Sequence, residues 1–214
     1  AKVYWMIIEE SKRTDVDYVA DNIREADRQE ILANSGRTPH VSLLNGFNQS
    51  KPCAYSMIEI FPTTSEVRDI KYVADNMRQA DREEIQAVGN PDPHKALEEC
   101  YRDSDPECYS AMYKGLPVAM FGVVPDPETP KQGYIWLLGT DHITDNFPIS
   151  FLRWSRKFLP TLLSDYELVS NIVDKRNVVH IKWIKWLGFS FIREVIYGPE
   201  NRPFYEFARL NDYV

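Results

Sequence analysis

Two segments near the start of the chain carry apolar residues at the three- and four-residue spacing of an amphipathic helix. The two apolar stripes consist of Val19, Ile23, Ala26 and Ile31, and of Val73, Met77, Ala80 and Ile85. Most charged residues in both segments lie off these stripes. The pattern predicts a helical segment at each place, packed through its stripe.

The two segments are copies of each other. Residues 15–31 and 69–85 are identical at 12 of 17 positions with a constant offset of 54, and the similarity resumes at Cys53–Met57 and Cys108–Met112. Nothing after residue 113 recurs, so a solenoid, which needs about three or more repeats, is excluded. We interpret residues 1–56 as a partial duplicate of the first β-α segment of a domain that spans 57–214. A duplicate without its own sheet must pack on that domain or on a neighbouring chain.

Charged side chains are retained in both copies of the segment. Arg24, Asp27 and Arg28 in the first copy recur as Arg78, Asp81 and Arg82 in the second. One interpretation is a solvated helix face with ion pairs three and four residues apart. The other is a shared contact surface for a protein partner, formed by these six residues.

The later part of the chain alternates strand and helix patterns. The predicted elements are a hairpin from Glu107–Tyr113 and Leu116–Val124 turning at Lys114–Gly115, a strand at Tyr134–Leu138, a helix at Pro148–Leu163 kinked or shortened by Pro160, a strand at Tyr166–Val173, a helix at Asn177–Leu187 and a hairpin from Phe189–Tyr197 and Pro203–Leu210. Gly188 is the expected C-terminal cap of the second helix. This order predicts an α/β (α+β) fold with a central mixed sheet flanked by helices.

Composition narrows the function classes. The net charge of −7 argues against a protein that coats nucleic acid. No apolar run reaches the roughly 18 residues of a membrane span. The three cysteines form no CxxC pair, and Cys100 and Cys108 with His94 fit no standard zinc spacing, so we expect neither a disulfide framework nor a bound metal. A reducing, cytoplasmic setting is the default.

The element order, with Asn177 opening a helix that closes at Leu187-Gly188-Phe189, resembles the GNAT-type (N-acetyltransferase-like) fold. The stretch from Ile58 onward is also similar to a family of T7-like phage proteins with this fold, which includes their internal-virion or scaffold-type protein. The matching pieces are Ile60–Thr63, Gly115–Ala119 and Asn177–Gly188. The resemblance implies a location in the host cytoplasm and, as an alternative, in the virion. It implies other phage structural proteins, or a second copy of the chain, as the partner.

The resemblance to GNAT enzymes also implies a cofactor site that can be checked in the sequence. Those enzymes hold the pyrophosphate of coenzyme A on backbone N–H groups of a loop at a helix N-terminus. The equivalent loop here runs from Leu138 through Gly139 to Pro148, has no Arg or Gln, and carries Asp141 and Asp145, which repel an anion. If the chain does bind acetyl-CoA, Leu138, Gly139 and Asn177 are the expected contacts; otherwise no cofactor is expected.

The resemblance gives catalytic candidates as well. The family often places a Tyr seven residues after the Asn, as the acid for the leaving thiolate, and Ile184 stands there. Asp141 is a candidate general base, and His180 is a candidate for acid–base chemistry or, alternatively, for packing. Trp183 and Trp186 lie three residues apart on one helix face and suit a protein contact.

Three functions remain open from the sequence. The first is a non-catalytic virion-assembly or protein-interaction module, the second an acetyl-CoA-dependent N-acyltransferase with an atypical loop, and the third an inhibitor or modifier of a host protein. Architecture does not choose between them, because function depends on the site.

Overall fold

The computed structural model describes residues 58–63, 66–104, 108–145 and 148–211. The strands are β1 Glu59–Pro62, β2 Tyr109–Tyr113, β3 Leu116–Pro125, β4 Gln132–Gly139, β5 Leu168–Asp174, β6 Ser190–Tyr197 and β7 Arg202–Leu210. The helices are α1 Glu66–Asp75, α2 Gln79–Ala87, α3 Pro93–Asp103, α4 His142–Asp145, α5 Pro148–Leu162 and α6 Val178–Trp186. The predicted boundary at residue 56 and the retained Arg24, Asp27 and Arg28 lie outside the described residues.

The seven strands form one mixed sheet in the order β1-β2-β3-β4-β5-β7-β6. Neighbouring strands are antiparallel except β4 and β5, which are parallel. We call β1–β4 the first arm of the sheet and β5–β7 the second arm. The predicted fold class, a mixed sheet flanked by helices, is confirmed.

Helices cover both faces of the sheet because successive strand residues point to opposite sides. On one face, Met120 packs with Val73 of α1 and Leu97 of α3. On the other face, the next residue, Phe121, packs with Trp154 of α5. The second arm contributes its own cluster, in which α6 meets β5 and β7. Apolar clusters therefore lie on both faces, and the sheet lies between two helical layers.

The predicted helical segment at 69–85 is broken in the structure. α1 ends at Asp75 and α2 begins at Gln79, and between them Met77 forms an isolated antiparallel bridge with Thr140. Arg82 closes the break by donating to the carbonyl oxygens of Ala74, Asp75 and Met77 at 2.6, 3.1 and 3.0 Å. The apolar spacing alone did not reveal this break, since the stripe residue Met77 is buried as the pattern required.

Local turn and cap signals were more reliable. The β2–β3 hairpin turns at Lys114 and Gly115, both with positive φ. Asn177 caps α6, with its side chain accepting from the His180 N–H, and Gly188 follows the helix at φ +86°. Pro160 lies inside α5, which continues to Leu162. Among the helices of the described ranges, none has both the length and the apolar character needed to cross a bilayer.

Candidate functional site

The two arms of the sheet separate where β4 and β5 stop pairing. The parallel ladder joins only Gln132–Tyr134 to Leu168–Ser170. Beyond it, β4 continues beside β3, and β5 continues beside β7. At the point of divergence, Asn171 Nδ2 donates to the carbonyl oxygen of Ile135 at 2.8 Å. A gap therefore opens between the arms, towards the C-terminal ends of β4 and β5.

This gap contains a cavity of about 280 Å³. Its apolar wall is rich in large aromatic side chains, including Trp136, Trp154, Phe158 and Trp183. Its polar lining includes Asp81, Glu84, Asn171 and His180. A largely apolar pocket with a few convergent polar groups is the usual form of a ligand site.

One peptide group of β4 faces this cavity. The Thr140 N–H bonds to Val118 of β3, whereas Gly139 bonds on the opposite side of β4. Since backbone groups alternate sides along a strand, Leu137 and Ile135 share the orientation of Gly139. The Ile135 carbonyl accepts the Asn171 side-chain amide, and Gly139 bonds to α2. Leu137, which lies between these two residues, therefore presents its N–H and C=O to the gap.

The end of β4 is held by the start of α2. The Arg78 N–H donates to the Gly139 carbonyl at 2.9 Å, and the Gly139 N–H donates to Asp81 Oδ2 at 3.0 Å. Arg78 Nε donates to Asp81 Oδ2 at 3.1 Å. The Asp81 side chain is 2% exposed and that of Arg78 is 11% exposed. The expectation that these two retained charges lie on a solvated face is therefore wrong, because the pair packs against the sheet.

The middle of α2 reaches the second arm. Asn177 Nδ2 donates to Glu84 Oε2 at 2.9 Å, which links α2 to the start of α6. Burial raises the pKa of Glu84 to about 8; the Asn177 hydrogen bond acts in the opposite direction, and the nearby carboxylates Asp81 and Asp174 add to the rise. Glu84 therefore holds a proton in much of the population at neutral pH.

The last turn of α2 contacts the β6–β7 turn. Gly198, at φ +75°, lies so close that an added Cβ would stand 1.8 Å from the Ala87 carbonyl oxygen. α2 thus forms hydrogen bonds to β4 at its start and to the N-cap of α6 in its middle, and it packs against the β6–β7 turn at its end. We call Gln79–Ala87, with these three attachments, the α2 strap, because it spans the gap and joins both arms.

His180 lies at the other side of the cavity. Its ring stacks on Trp183 with the ring centroids 5.2 Å apart, and Trp183 Nε1 donates to Ser155 Oγ at 3.1 Å. Burial lowers the pKa of His180 to about 4, with Asp81 opposing this change and Arg78 adding to it. The imidazole is therefore neutral at pH 7 and serves as part of the aromatic wall. Its proposed acid–base role stays a prediction.

The predicted tryptophan pair is divided between two environments. Trp183 lines the cavity and packs on Phe151, with ring centroids 5.2 Å apart. Trp186 carries the Arg156 guanidinium 5.3 Å from its ring centroid. The joint contact face predicted from their spacing is therefore limited to the half-buried Trp186 and the edge of Trp183; a partner contact there stays a prediction.

The first two N–H groups after Leu138 are not available to hold an anion. The N–H groups of Gly139 and Thr140 bond within the protein, to Asp81 and to the Val118 carbonyl. Asp141 is exposed, and its carbonyl accepts the N–H groups of Thr144 and Asp145 to form the turn of α4. Of the predicted site residues in this loop, Leu138 lines the cavity, whereas Asp141 does not.

Sequence reasoning did not select Glu84 as a site residue. Its partner Asn177 is 93 residues further along the chain, so no local pattern connects them. The available signal was the duplication, since Glu84 recurs as Glu30. Asn177, predicted as a cofactor contact, links Glu84 and His180 through its side-chain amide, and its contact with a cofactor stays a prediction.

No protein-family model matches this sequence. No curated protein matches it either. Solved structures do resemble it. The GNAT domain of S. lividans PAT is 11% identical, with a TM-score of 0.55, covering 73% of this chain and 92% of that one.

Two aminoglycoside acetyltransferases are similar to the same extent. AAC(6')-Ib in complex with ribostamycin and coenzyme A is 15% identical, with a TM-score of 0.53, covering 72% of this chain and 93% of its own. The aminoglycoside N(6')acetyltransferase of Legionella pneumophila is 17% identical, with a TM-score of 0.51, covering 71% and 90%. At these identities the likeness establishes architecture alone: the described part of this chain has the GNAT fold.

Proposed function

We propose that this chain uses the GNAT fold as a non-catalytic protein-interaction module, in virion assembly of the kind to which its resemblance to T7-like phage proteins points. The observation that carries the proposal is the hydrogen bond from the Gly139 N–H to the Asp81 carboxylate. Through this bond, a side chain of the protein itself occupies the backbone donor at the end of the β4 edge that faces the gap. The host cytoplasm and the virion are the corresponding locations.

The electrostatics at this end of β4 oppose a pyrophosphate. An anion site at a helix or loop terminus needs unpaired backbone N–H groups and a favourable field. Here the N–H groups of Gly139 and Thr140 are already bonded. The carboxylates of Asp141 and Asp145 are exposed in the same loop. Coenzyme A would have to approach acidic side chains without gaining these backbone donors.

The α2 strap supports a structural role. A ligand lying between two diverging arms would bridge them, and the strap makes such a bridge with the protein's own side chains. Asp81 joins it to the first arm and Glu84 joins it to the second. The strap thus joins the two arms through side chains of the protein itself, which suits a scaffolding module.

Calorimetric titration with acetyl-CoA tests this proposal. We expect no saturable binding at about 1 mM ligand, a level at which even a free energy of only about −4 kcal/mol is detected. Micromolar binding by the unmodified chain would overturn the non-catalytic reading. Asp81→Ala, which frees the Gly139 N–H, should raise the affinity relative to the matched exposed control Asp75→Ala.

The assembly part of the proposal has a separate test. Mass spectrometry of purified phage particles should find the chain at a defined copy number. Absence from particles made in cells that express the chain would contradict a virion role and favour action on a host protein.

An acyltransferase is the second candidate, and two observations favour it. Leu137 presents a peptide group to the gap, and Glu84, with its pKa raised to about 8, lies at the cavity and suits a general base at neutral to mildly alkaline pH. Solved structures with this fold include acetyltransferases, three of them with coenzyme A bound. In this alternative, Glu84 takes the proton of an amine that attacks the thioester, and the thiol of coenzyme A leaves.

Thiol release from acetyl-CoA with a panel of amines distinguishes the two candidates. Under the acyltransferase alternative, Glu84→Gln should reduce kcat strongly while the neighbouring Glu83→Gln leaves it unchanged. Absence of amine-dependent thiol release from the unmodified chain, across pH 6 to 9, would exclude this alternative for the amines tested.

A further inference from the structure

Three carboxylates attach α1 and α2 to the rest of the domain. Asp69 accepts the Ser110 hydroxyl of β2 at 2.7 Å. Asp81 accepts the Gly139 N–H at the end of β4 at 3.0 Å. Glu84 accepts the Asn177 side-chain amide at 2.9 Å. These bonds fix the position of the two helices on the sheet, in addition to the burial of the apolar stripe.

All three carboxylates recur in the N-terminal duplicate. Asp69, Asp81 and Glu84 correspond to Asp15, Asp27 and Glu30. Arg78, the ion-pair partner of Asp81, corresponds to Arg24. The duplicate therefore contains a counterpart of each of these three carboxylates and of Arg78. Glu83, which lies 3.9 Å from Arg176, is replaced by Gln29.

The two copies differ at five positions, and three of these are exposed in the second copy. Lys71, Gln79 and Glu83 are exposed, and Asp17, Glu25 and Gln29 stand at their counterparts. The two remaining differences replace the buried Ile70 and Met77 with Val16 and Ile23, which are also apolar. The duplicate thus keeps the bonding carboxylates and the apolar character of the stripe, and its polar differences correspond to exposed positions of the second copy.

The chain contains two docking segments, but of the three groups that receive them only Ser110 recurs, as Ser56. The repeat ends at residue 113, so Gly139 and Asn177 have no second copy. Asp27 and Glu30 therefore have no duplicated partners. The chemical groups that suit them are the ones that Asp81 and Glu84 already occupy.

We propose that residues 15–31 dock on the same surface of the sheet as residues 69–85 and compete with them for it. The receiving surface is defined by Ser110, Gly139 and Asn177. The segment that is not docked presents its apolar stripe and its carboxylates to the same surface on another copy of the chain. This deepens the proposed interaction function, since it identifies the partner surface as the chain's own sheet.

A double-mutant cycle on the full chain measures this competition. The variants are Asp27→Ala, Asp81→Ala and the double variant, each followed by urea unfolding of the sheet domain. If residues 15–31 replace residues 69–85 when Asp81 is lost, Asp27→Ala has little effect in the unmodified chain and lowers the midpoint clearly in the Asp81→Ala background. Asp17→Ala, at a counterpart of the exposed Lys71, should have no background-dependent effect. Strictly additive effects of Asp27→Ala and Asp81→Ala would overturn the proposal.

Cross-linking gives an independent answer if Asp81→Ala fails to fold. Glu30→Cys with Asn177→Cys is treated with a short bismaleimide, and the linked peptides are identified by mass spectrometry. The positive control is Glu84→Cys with Asn177→Cys, and the negative control is Asp17→Cys with Asn177→Cys. Cross-links from residue 30 to residue 177 are expected; cross-links from residue 84 alone would refute the competition. Neither readout involves coenzyme A, so a negative result in these two experiments does not change the interpretation of the acetyl-CoA titration.

Discussion

The carboxylate of Asp81 lies 3.0 Å from the backbone nitrogen of Gly139 and accepts its hydrogen bond. The two residues are 58 positions apart in the sequence. The contact fixes the start of α2 against the last residue of β4. It also occupies a donor of the β4 edge that a bound anion or carbonyl would otherwise use. The contact therefore bears both on the stability of the fold and on whether this edge binds a ligand.

Asp81→Asn should destabilise the domain by about 3–5 kcal/mol, the usual cost of removing one partner of a buried ion pair. The amide can still accept from Gly139, but Arg78, whose side chain is 11% exposed, loses its counter-charge. Urea unfolding followed by tryptophan fluorescence measures the change. Asp75→Asn is the matched control, because Asp75 pairs with Lys71 at the surface. That control should cost less than about 1 kcal/mol, and equal effects of the two variants would contradict the buried pair.

The stability of the domain should fall as the pH rises from 6.5 to 8.5. Glu84 has its pKa raised to about 8 in the folded state. The folded state therefore binds more protons than the unfolded state between the ordinary Glu pKa and about 8, and stability decreases with pH across that interval. His180, with its pKa lowered to about 4, has the opposite effect, but only below its ordinary pKa of 6.5. Between pH 6.5 and 8.5 the contribution of Glu84 thus remains.

Glu84→Gln should remove this decline while it preserves an acceptor for Asn177. Unfolding free energies at pH 6.5, 7.5 and 8.5 give the slope. Glu83→Gln serves as the control, since that side chain is 46% exposed and lies 3.9 Å from Arg176. A slope that persists in Glu84→Gln would rule out Glu84 as its source.

Gly198→Ala should be much more destabilising than Gly115→Ala. Both glycines have positive φ, +75° and +78°, so both variants carry a backbone cost of about 1 kcal/mol. At Gly198 the new Cβ would also stand 1.8 Å from the Ala87 carbonyl oxygen, whereas at Gly115 nothing lies within 4 Å. The difference in thermal midpoint between the two variants isolates the clash. Equal midpoints would mean that α2 does not rest against the β6–β7 turn.

Asn171→Ala should cost about 1–3 kcal/mol because it leaves the Ile135 carbonyl without its side-chain donor at the divergence of the arms. Chemical denaturation measures the loss, and amide exchange at β4 and β5 reports whether the gap lengthens. Asn76→Ala is a suitable control, since Asn76 Nδ2 bonds at the surface to the Tyr72 carbonyl. An Asn171→Ala variant as stable as this control would show that the divergence needs no such bond.

Elements with local signals were predictable from the sequence. The Lys114–Gly115 turn and the helix between Asn177 and Gly188 depend on residues within a few positions of each other. Turn and cap chemistry is short-range, so the sequence contains all of its determinants. The order of strands and helices followed from such signals, and that order resembles the GNAT fold.

The α2 strap could not be predicted in the same way. Asp81 and Glu84 carry the charges of a solvated helix face, and a charge pattern has the same appearance whether the carboxylate meets water or a backbone N–H. Their partners, Gly139 and Asn177, are distant in sequence. The break at Met77 has the same origin, because it forms a bridge with Thr140 that no helical periodicity encodes.

The α2 strap also determines how the molecule should respond to force and to partial unfolding. While it is docked, the arms β1–β4 and β5–β7 share a single cooperative unit, although only three residue pairs join β4 to β5. Release of the strap would leave two sub-globular units joined by that short ladder, the Asn171–Ile135 bond and the contacts between α5 and α6. The first event on a mechanical or thermal unfolding pathway is then separation of the arms, with β4 gaining a newly open edge while most of the secondary structure persists.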